Sequence, residues 1–198
     1  MTIQAIAIRS NAELMAECAE LGYLDGTVLD MTYGMGAFWR RHEPQRLIAM
    51  DRYVTHRFRL NVLADATCLP FDNRSVDSAV FDPPYKLNGT STDIGPSMLD
   101  ARYGVGGSYT PAAVRHALLL DGTSEALRVA RRYVLVKCAD QISSGKYNAQ
   151  TFMVWNRAME HGATMVDMLH VMGSREQPYG TRQLHARRNY SSLLVFAV

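Results

Sequence analysis

Four consecutive residues, Asp82-Pro83-Pro84-Tyr85, join a carboxylate, two rigid rings and an aromatic face. They follow Ser78-Ala79-Val80-Phe81, an apolar run that reads as a buried strand. Neither proline can donate to a ladder, so the strand stops there and its tip is a stiff turn. At that tip a carboxylate and a prolyl carbonyl can accept two N–H bonds while the tyrosine stacks on a ring. The set suits a planar base that carries an exocyclic amino group. Phe81 reads as core.

A second group lies upstream. Asp30-Met31-Thr32-Tyr33-Gly34-Met35-Gly36 reads as a strand-to-helix turn whose glycines let a ligand approach the backbone. Asp51 ends the next strand, where a carboxylate can accept both hydroxyls of a ribose. Asp65, followed by Ala66, comes after a third strand. It can accept from an adenine amino group or cap its own turn. Lys137 closes another apolar run. It reads either as a substrate contact or as a lysine whose stem is covered and whose head reaches water.

The elements that must position these groups follow from periodicity. Strands are expected at Thr27–Met31, Leu47–Met50, Asn61–Ala64, Ser78–Phe81, Tyr133–Cys138, Thr164–Met172 and Ser191–Val198. Helices are expected over Asn11–Leu21, from Ala37, over Val54–Leu60, over Pro111–Arg131 with a break near Asp121-Gly122, and over Gln150–His161. Trp39 and Trp155 read as packing residues within helices, and His161 and His170 as structural. Residues 86–110 and 173–190 are polar and read as substrate-facing loops. Alternating strands and helices imply an α/β fold, a mostly parallel sheet with helices on both faces. Right-handed crossovers then line the post-strand loops along one edge, where ligands bind. The glycine turn, Asp51, Asp65 and Asp82 belong to that edge.

In this order the motifs resemble the class I S-adenosylmethionine-dependent methyltransferases. The sequence is most similar to the amino-methyltransferases that modify adenine N6 or cytosine N4 of DNA, among them small actinobacterial and phage methylases. Asp65-Ala66-Thr67-Cys68-Leu69-Pro70-Phe71, Ser75-Val76-Asp77 and the ending His185-Ala186-Arg187-Arg188-Asn189-Tyr190-Ser191-Ser192-Leu193-Leu194-Val195-Phe196 share the likeness. It implies a Rossmann-like sheet of seven strands whose last strand is antiparallel, tucked between the fifth and sixth. It implies S-adenosyl-L-methionine as cofactor, with Asp30, Thr32, Tyr33, Gly34, Gly36, Asp51, Asp65, Ala66 and Asp82 as candidate cofactor contacts. Asp82, Pro83, Pro84 and Tyr85 are then the catalytic candidates for methyl transfer to a flipped base. An aspartate in the first of these positions is more usual for adenine N6, and a serine for cytosine N4. Guanine-N2 RNA methyltransferases and some protein-glutamine ones use similar tetrapeptides, and a non-catalytic nucleic-acid-binding module is a further alternative. Such DNA enzymes often carry a separate target-recognition domain, and none is expected within these 198 residues.

Bulk properties bound the rest. The chain has 198 residues, 47% of them hydrophobic, a net charge of +2 and a pI near 8.5. One domain over residues 1–198 is expected. Arg40, Arg41, Arg46, Arg52, Arg57 and Arg59 cluster, as do Arg175, Arg182, Arg187 and Arg188 around His185. These are solvated faces or phosphate contacts. Lys86, Arg182, His185, Arg187 and Arg188 are the candidate nucleic-acid contacts, to DNA first and RNA second. A homodimer or a specificity partner could add sequence recognition. Cys18, Cys68 and Cys138 form no CxxC pair, so no metal site or disulfide framework is expected. Free thiols, no signal-peptide pattern and no membrane-spanning run lead to a cytoplasmic expectation.

Overall fold

The structure, a computed structural model, describes residues 2–53, 60–87, 112–173, 184–186 and 188–198. Its centre is an eight-stranded sheet. The strands are β1 (Ile6–Ala7), β2 (Thr27–Asp30), β3 (Arg46–Asp51), β4 (Val62–Leu63), β5 (Val76–Phe81), β6 (Ala130–Cys138), β9 (Thr164–Met172) and β10 (Tyr190–Ala197). The order across the sheet is β1-β9-β10-β6-β5-β2-β3-β4. Pairing is parallel except around β10, which runs antiparallel to both β6 and β9. The seven expected strands are all present, with the last between the fifth and sixth. Ile6–Ala7 adds an eighth at the β9 edge, a pair too short for periodicity to reveal.

Strand residues alternate between two cores, as a pleat requires. Leu29, Ala79, Phe81, Val134 and Val136 face one way, toward α2 (Ala112–Val129) and α3 (Gln150–Glu160). Val28, Val80, Leu135 and Leu193 face the other, toward α1 (Asn11–Glu20) and a 3₁₀ turn at Ala37–Arg40. Helix α1 starts at a capping box. The Glu13 N–H donates to Ser10 Oγ at 3.2 Å and the Ser10 N–H to Glu13 Oε2 at 2.7 Å.

Three expectations need correction. Helix α2 runs unbroken through Asp121-Gly122. A Cβ at Gly122 would overlap the Phe81 ring, so the glycine lets the helix approach β5 rather than ending it. Only four residues from Ala37 are helical. Trp155 is 43% exposed rather than packed, whereas Trp39 is buried. A hairpin, β7 (Gln141–Ser143) and β8 (Lys146–Asn148), was not expected. The helix expected at Val54–Leu60 falls almost wholly outside the described residues. His161 and His170 bond to Ser124 Oγ and Ser192 Oγ, in keeping with structural roles.

Candidate active site

The strand order reverses between β2 and β5, so the connections that follow them lead to opposite halves of the sheet and leave a crevice. The turn after β2 is stitched to both neighbours there. On the β5 side the Met31 N–H donates to the Val80 carbonyl at 2.9 Å, and the Asp82 N–H donates to Thr32 Oγ1 at 2.8 Å. On the β3 side the Tyr33 N–H donates to the Met50 carbonyl at 2.9 Å, and the Gly34 N–H to Asp51 Oδ2 at 2.7 Å. Gly34 and Gly36 take φ of +56° and +65°, angles that residues with a Cβ rarely adopt.

Two clefts open on this edge. The first, of about 340 Å³, is lined among others by Met31, Thr32, Asp51, Asp65, Ala66, Phe81, Pro83, Pro84 and Arg115. The second, of about 390 Å³, is lined among others by Tyr85, Lys86, Asp140, Gln141, Arg188 and Tyr190. The tetrapeptide is the wall between them, its prolines on one side and Tyr85 on the other. The Tyr85 N–H closes a tight turn onto the Pro83 carbonyl at 2.7 Å. The Tyr85 carbonyl accepts from Gln141 Nε2 at 2.8 Å and Gln150 Nε2 at 2.9 Å. Arg115 Nη1 donates to the Pro84 carbonyl at 3.0 Å. Every carbonyl from Pro83 to Tyr85 is thus anchored.

The expected cofactor residues divide into two groups. Thr32, Asp51, Asp65 and Ala66 line the first cleft. Asp30 lies beneath it, 3% exposed. Its Oδ1 accepts from the Thr32 N–H at 2.9 Å and its Oδ2 from Trp39 Nε1 at 2.7 Å. Tyr33, Gly34 and Gly36 shape the turn, and neither they nor Asp82 line either cleft. Asp65 caps its own turn through the Thr67 N–H and hydroxyl at 2.9 and 2.8 Å, and still borders the cleft. Of the nucleic-acid candidates, Lys86 and Arg188 line the second cleft and His185 is exposed away from it. Arg182 and Arg187 lie outside the described residues. Arg188 stacks over the Tyr147 ring at 4.5 Å. Neither Gln141, Gln150 nor Arg115 carries a sequence signal, because each acts through a backbone carbonyl.

Electrostatics differ between neighbouring carboxyls. Burial pushes Asp30 up from 3.8 to about 7, against its two hydrogen bonds, and the nearby charges of Asp82 and Asp51 add to the rise. Burial also raises Asp82, opposed by the cations of Lys137 and Lys86. The Thr67 bonds hold Asp65 low, the backbone one most strongly. Among the described residues no cluster of metal-ligating side chains is present, and no helix is long and apolar enough to cross a membrane.

No family model matches the sequence and no curated protein sequence matches it. Solved structures do. A candidate RNA methyltransferase from Pyrococcus horikoshii is 15% identical and superposes with a TM-score of 0.57 over 94% of this chain and 82% of its own. A candidate methyltransferase from Bacillus halodurans is 11% identical, with a TM-score of 0.58 over 92% and 97%. The magnesium protoporphyrin IX methyltransferase of Synechocystis, with bound SAH, is 11% identical, with a TM-score of 0.53 over 94% and 81%. The fold is that of the Rossmann-like methyltransferases.

Proposed function

We propose that the chain is an S-adenosyl-L-methionine-dependent methyltransferase whose acceptor is the exocyclic amino group of a base extruded from DNA, adenine N6 first. The observation that carries this reading is the partition. Pro83 and Pro84 face one cleft and Tyr85 the other, with Asp82 tied to the glycine turn through Thr32.

The first cleft fits the cofactor. Its volume of about 340 Å³ falls in the roughly 300–1,000 Å³ range of small-molecule sites. Met31, Ala66 and Phe81 offer apolar walls for an adenine, and Asp51 and Asp65 offer carboxylates for hydroxyl and amino groups. When bound, S-adenosyl-L-methionine supplies an electrophilic methyl group carried on a sulfonium.

The remaining work falls to side chains of this protein. An amino group conjugated with a ring is a poor nucleophile, because its lone pair is delocalised. Asp82 and the Pro83 carbonyl accept its two N–H bonds, localise that pair and offset the positive charge that develops on nitrogen. The Pro83 oxygen has one lone pair committed to the Tyr85 N–H and a second to offer. Tyr85 stacks on the base, a contact worth ~1–3 kcal/mol. Alignment of nitrogen and methyl group at near contact is worth ~7–11 kcal/mol in well-oriented systems. No base is needed before attack, since the nitrogen becomes acidic only after it is methylated. Lys86 and Arg188 give the second cleft positive charge for phosphates.

The test is nucleoside mass spectrometry on DNA and on tRNA incubated with protein and cofactor. N6-methyldeoxyadenosine is the expected product. N4-methyldeoxycytidine would keep the chemistry and change the base, and a methylated guanosine in tRNA would move the substrate to RNA. No product in either, with no cofactor binding by calorimetry, would return the chain to a non-catalytic binding module.

A further inference from the structure

We infer that Lys137 is a positioning residue for the tetrapeptide: a buried cation, held in place by α1 and the 3₁₀ turn, that fixes the charge of Asp82. This rests on the methyltransferase reading of the same site.

Asp30, Asp82 and Lys137 stand at the carboxyl ends of β2, β5 and β6, which are neighbours in the sheet. Phe81 pairs with Val136, so Asp82 and Lys137 follow as adjacent positions. Lys137 is 4% exposed. Its Nζ donates to Asn11 Oδ1 at 2.6 Å and lies 5.4 Å from the Phe38 ring centroid. Both partners are neutral, and a buried ammonium needs a counter-charge. Asp82, at the adjacent strand position, acts on it without a direct ion pair: burial lowers the lysine's pKa and the Asp82 carboxylate raises it. The roof over this row is shared, with Trp39 bonded to Asp30 and Phe38 over Lys137.

The groups that face Asp82 come from every side. Asp30 on β2 stands beside it. Lys137 and the Cys138 thiol come from β6, and Lys86 from its own segment. Helix α1 and the 3₁₀ turn present uncharged Asn11 and Phe38 to Lys137 and Trp39 to Asp30. Lys86 is exposed and its field is screened, whereas the field of Lys137 acts through protein. Without Lys137, two carboxyls at adjacent strand ends would compete and Asp82 would take up a proton more readily. A neutral acid grips an amino N–H less strongly than a carboxylate does.

Lys137→Gln keeps a donor for Asn11 and removes the charge. The readout is the titration of the Asp82 carboxyl by ¹³C NMR, assigned with Asp82→Asn, alongside the pH profile of kcat. The Asp82 midpoint is expected to rise by about one unit or more, a tenfold change in proton affinity. The acid limb of kcat moves up with it, cofactor KM holds, and Lys137→Arg restores the profile. An unmoved Asp82 midpoint with kcat lowered equally at every pH would overturn the inference. Should Lys137→Gln fail to fold, Asn11→Asp puts a competing carboxylate on the same ammonium. The Asp82 midpoint is again expected to rise, and an unmoved one again overturns the inference. If the midpoints shift as stated but the wild-type protein methylates no nucleic acid, the proposed function fails and the electrostatic role stands.

Discussion

Asp30 and Asp82 share a residue type and end adjacent strands, yet their surroundings give them different tasks. Asp30 spends its oxygens on the Thr32 N–H and the Trp39 indole, and burial carries it to about 7. A carboxyl raised in the fold stabilises most when protonated. Its contribution is complete below the unfolded value of 3.8 and is lost as pH rises through about 7. Urea unfolding at pH 5 and pH 8 is therefore expected to show a difference between wild type and Asp30→Asn that changes sharply between the two. Comparing the pair cancels His116 and His170, whose lowered values act in the opposite sense. A difference independent of pH would show that Asp30 does not titrate in this window. For Asp82→Ala, calorimetry is expected to show retained cofactor binding while methyl transfer falls by ~10²–10³, as when one aimed transition-state group is removed. Near-normal turnover would refute its role. These carboxylates were legible in the sequence, since charges at the ends of apolar runs are rare enough to mark a site. Lys137 was only half legible, because its type and position also fit a snorkelling stem. Gln141 and Gln150 left no trace, because nothing about a glutamine tells which carbonyl it will hold.

At the scale of elements, the contact between α2 and β5 decides the most. Propensity alone would have Gly122→Ala stabilise the helix by ~1 kcal/mol. The added methyl would overlap Phe81, which is fully buried and borders the first cleft. Overpacking typically costs about 1–3 kcal/mol, so the expected result is a net loss of stability in urea unfolding at unchanged slope. A gain would mean that the ring swings aside freely. The same contact explains why the expected helix break was wrong, since Asp-Gly is a turn signal locally and a packing solution here. The hairpin after β6 has a usable signal in its turn residues. Ser144-Gly145 lies between two short strands with φ of +50° and +73°, the two positive angles that a tight two-residue hairpin turn needs. Strand centres were otherwise predictable, because Leu-, Val- and Ile-rich runs have few other places to go. Strand ends differ by one to three residues, most at the start of β6, where Arg131 and Arg132 lie in the strand.

Across the whole molecule the charge is close to balance, so any attraction for a polyanion must come from local placement. Under the proposed function Arg188, stacked on Tyr147 at the second cleft, is the candidate for it. For Arg188→Ala, DNA binding measured across a salt series is expected to weaken for all sequences alike, with the slope shallower by about one ion. An unchanged slope would assign that side chain to a solvated surface. The architecture also governs how the protein comes into being. Residues 190–197 emerge from the ribosome after every other strand, yet they fill the slot between β6 and β9. Until then a five-stranded piece and a two-stranded piece each present a bare hydrogen-bonding edge to the other. Nascent chains are consequently expected to depend on chaperones until β10 docks, and to lock shut in one late event.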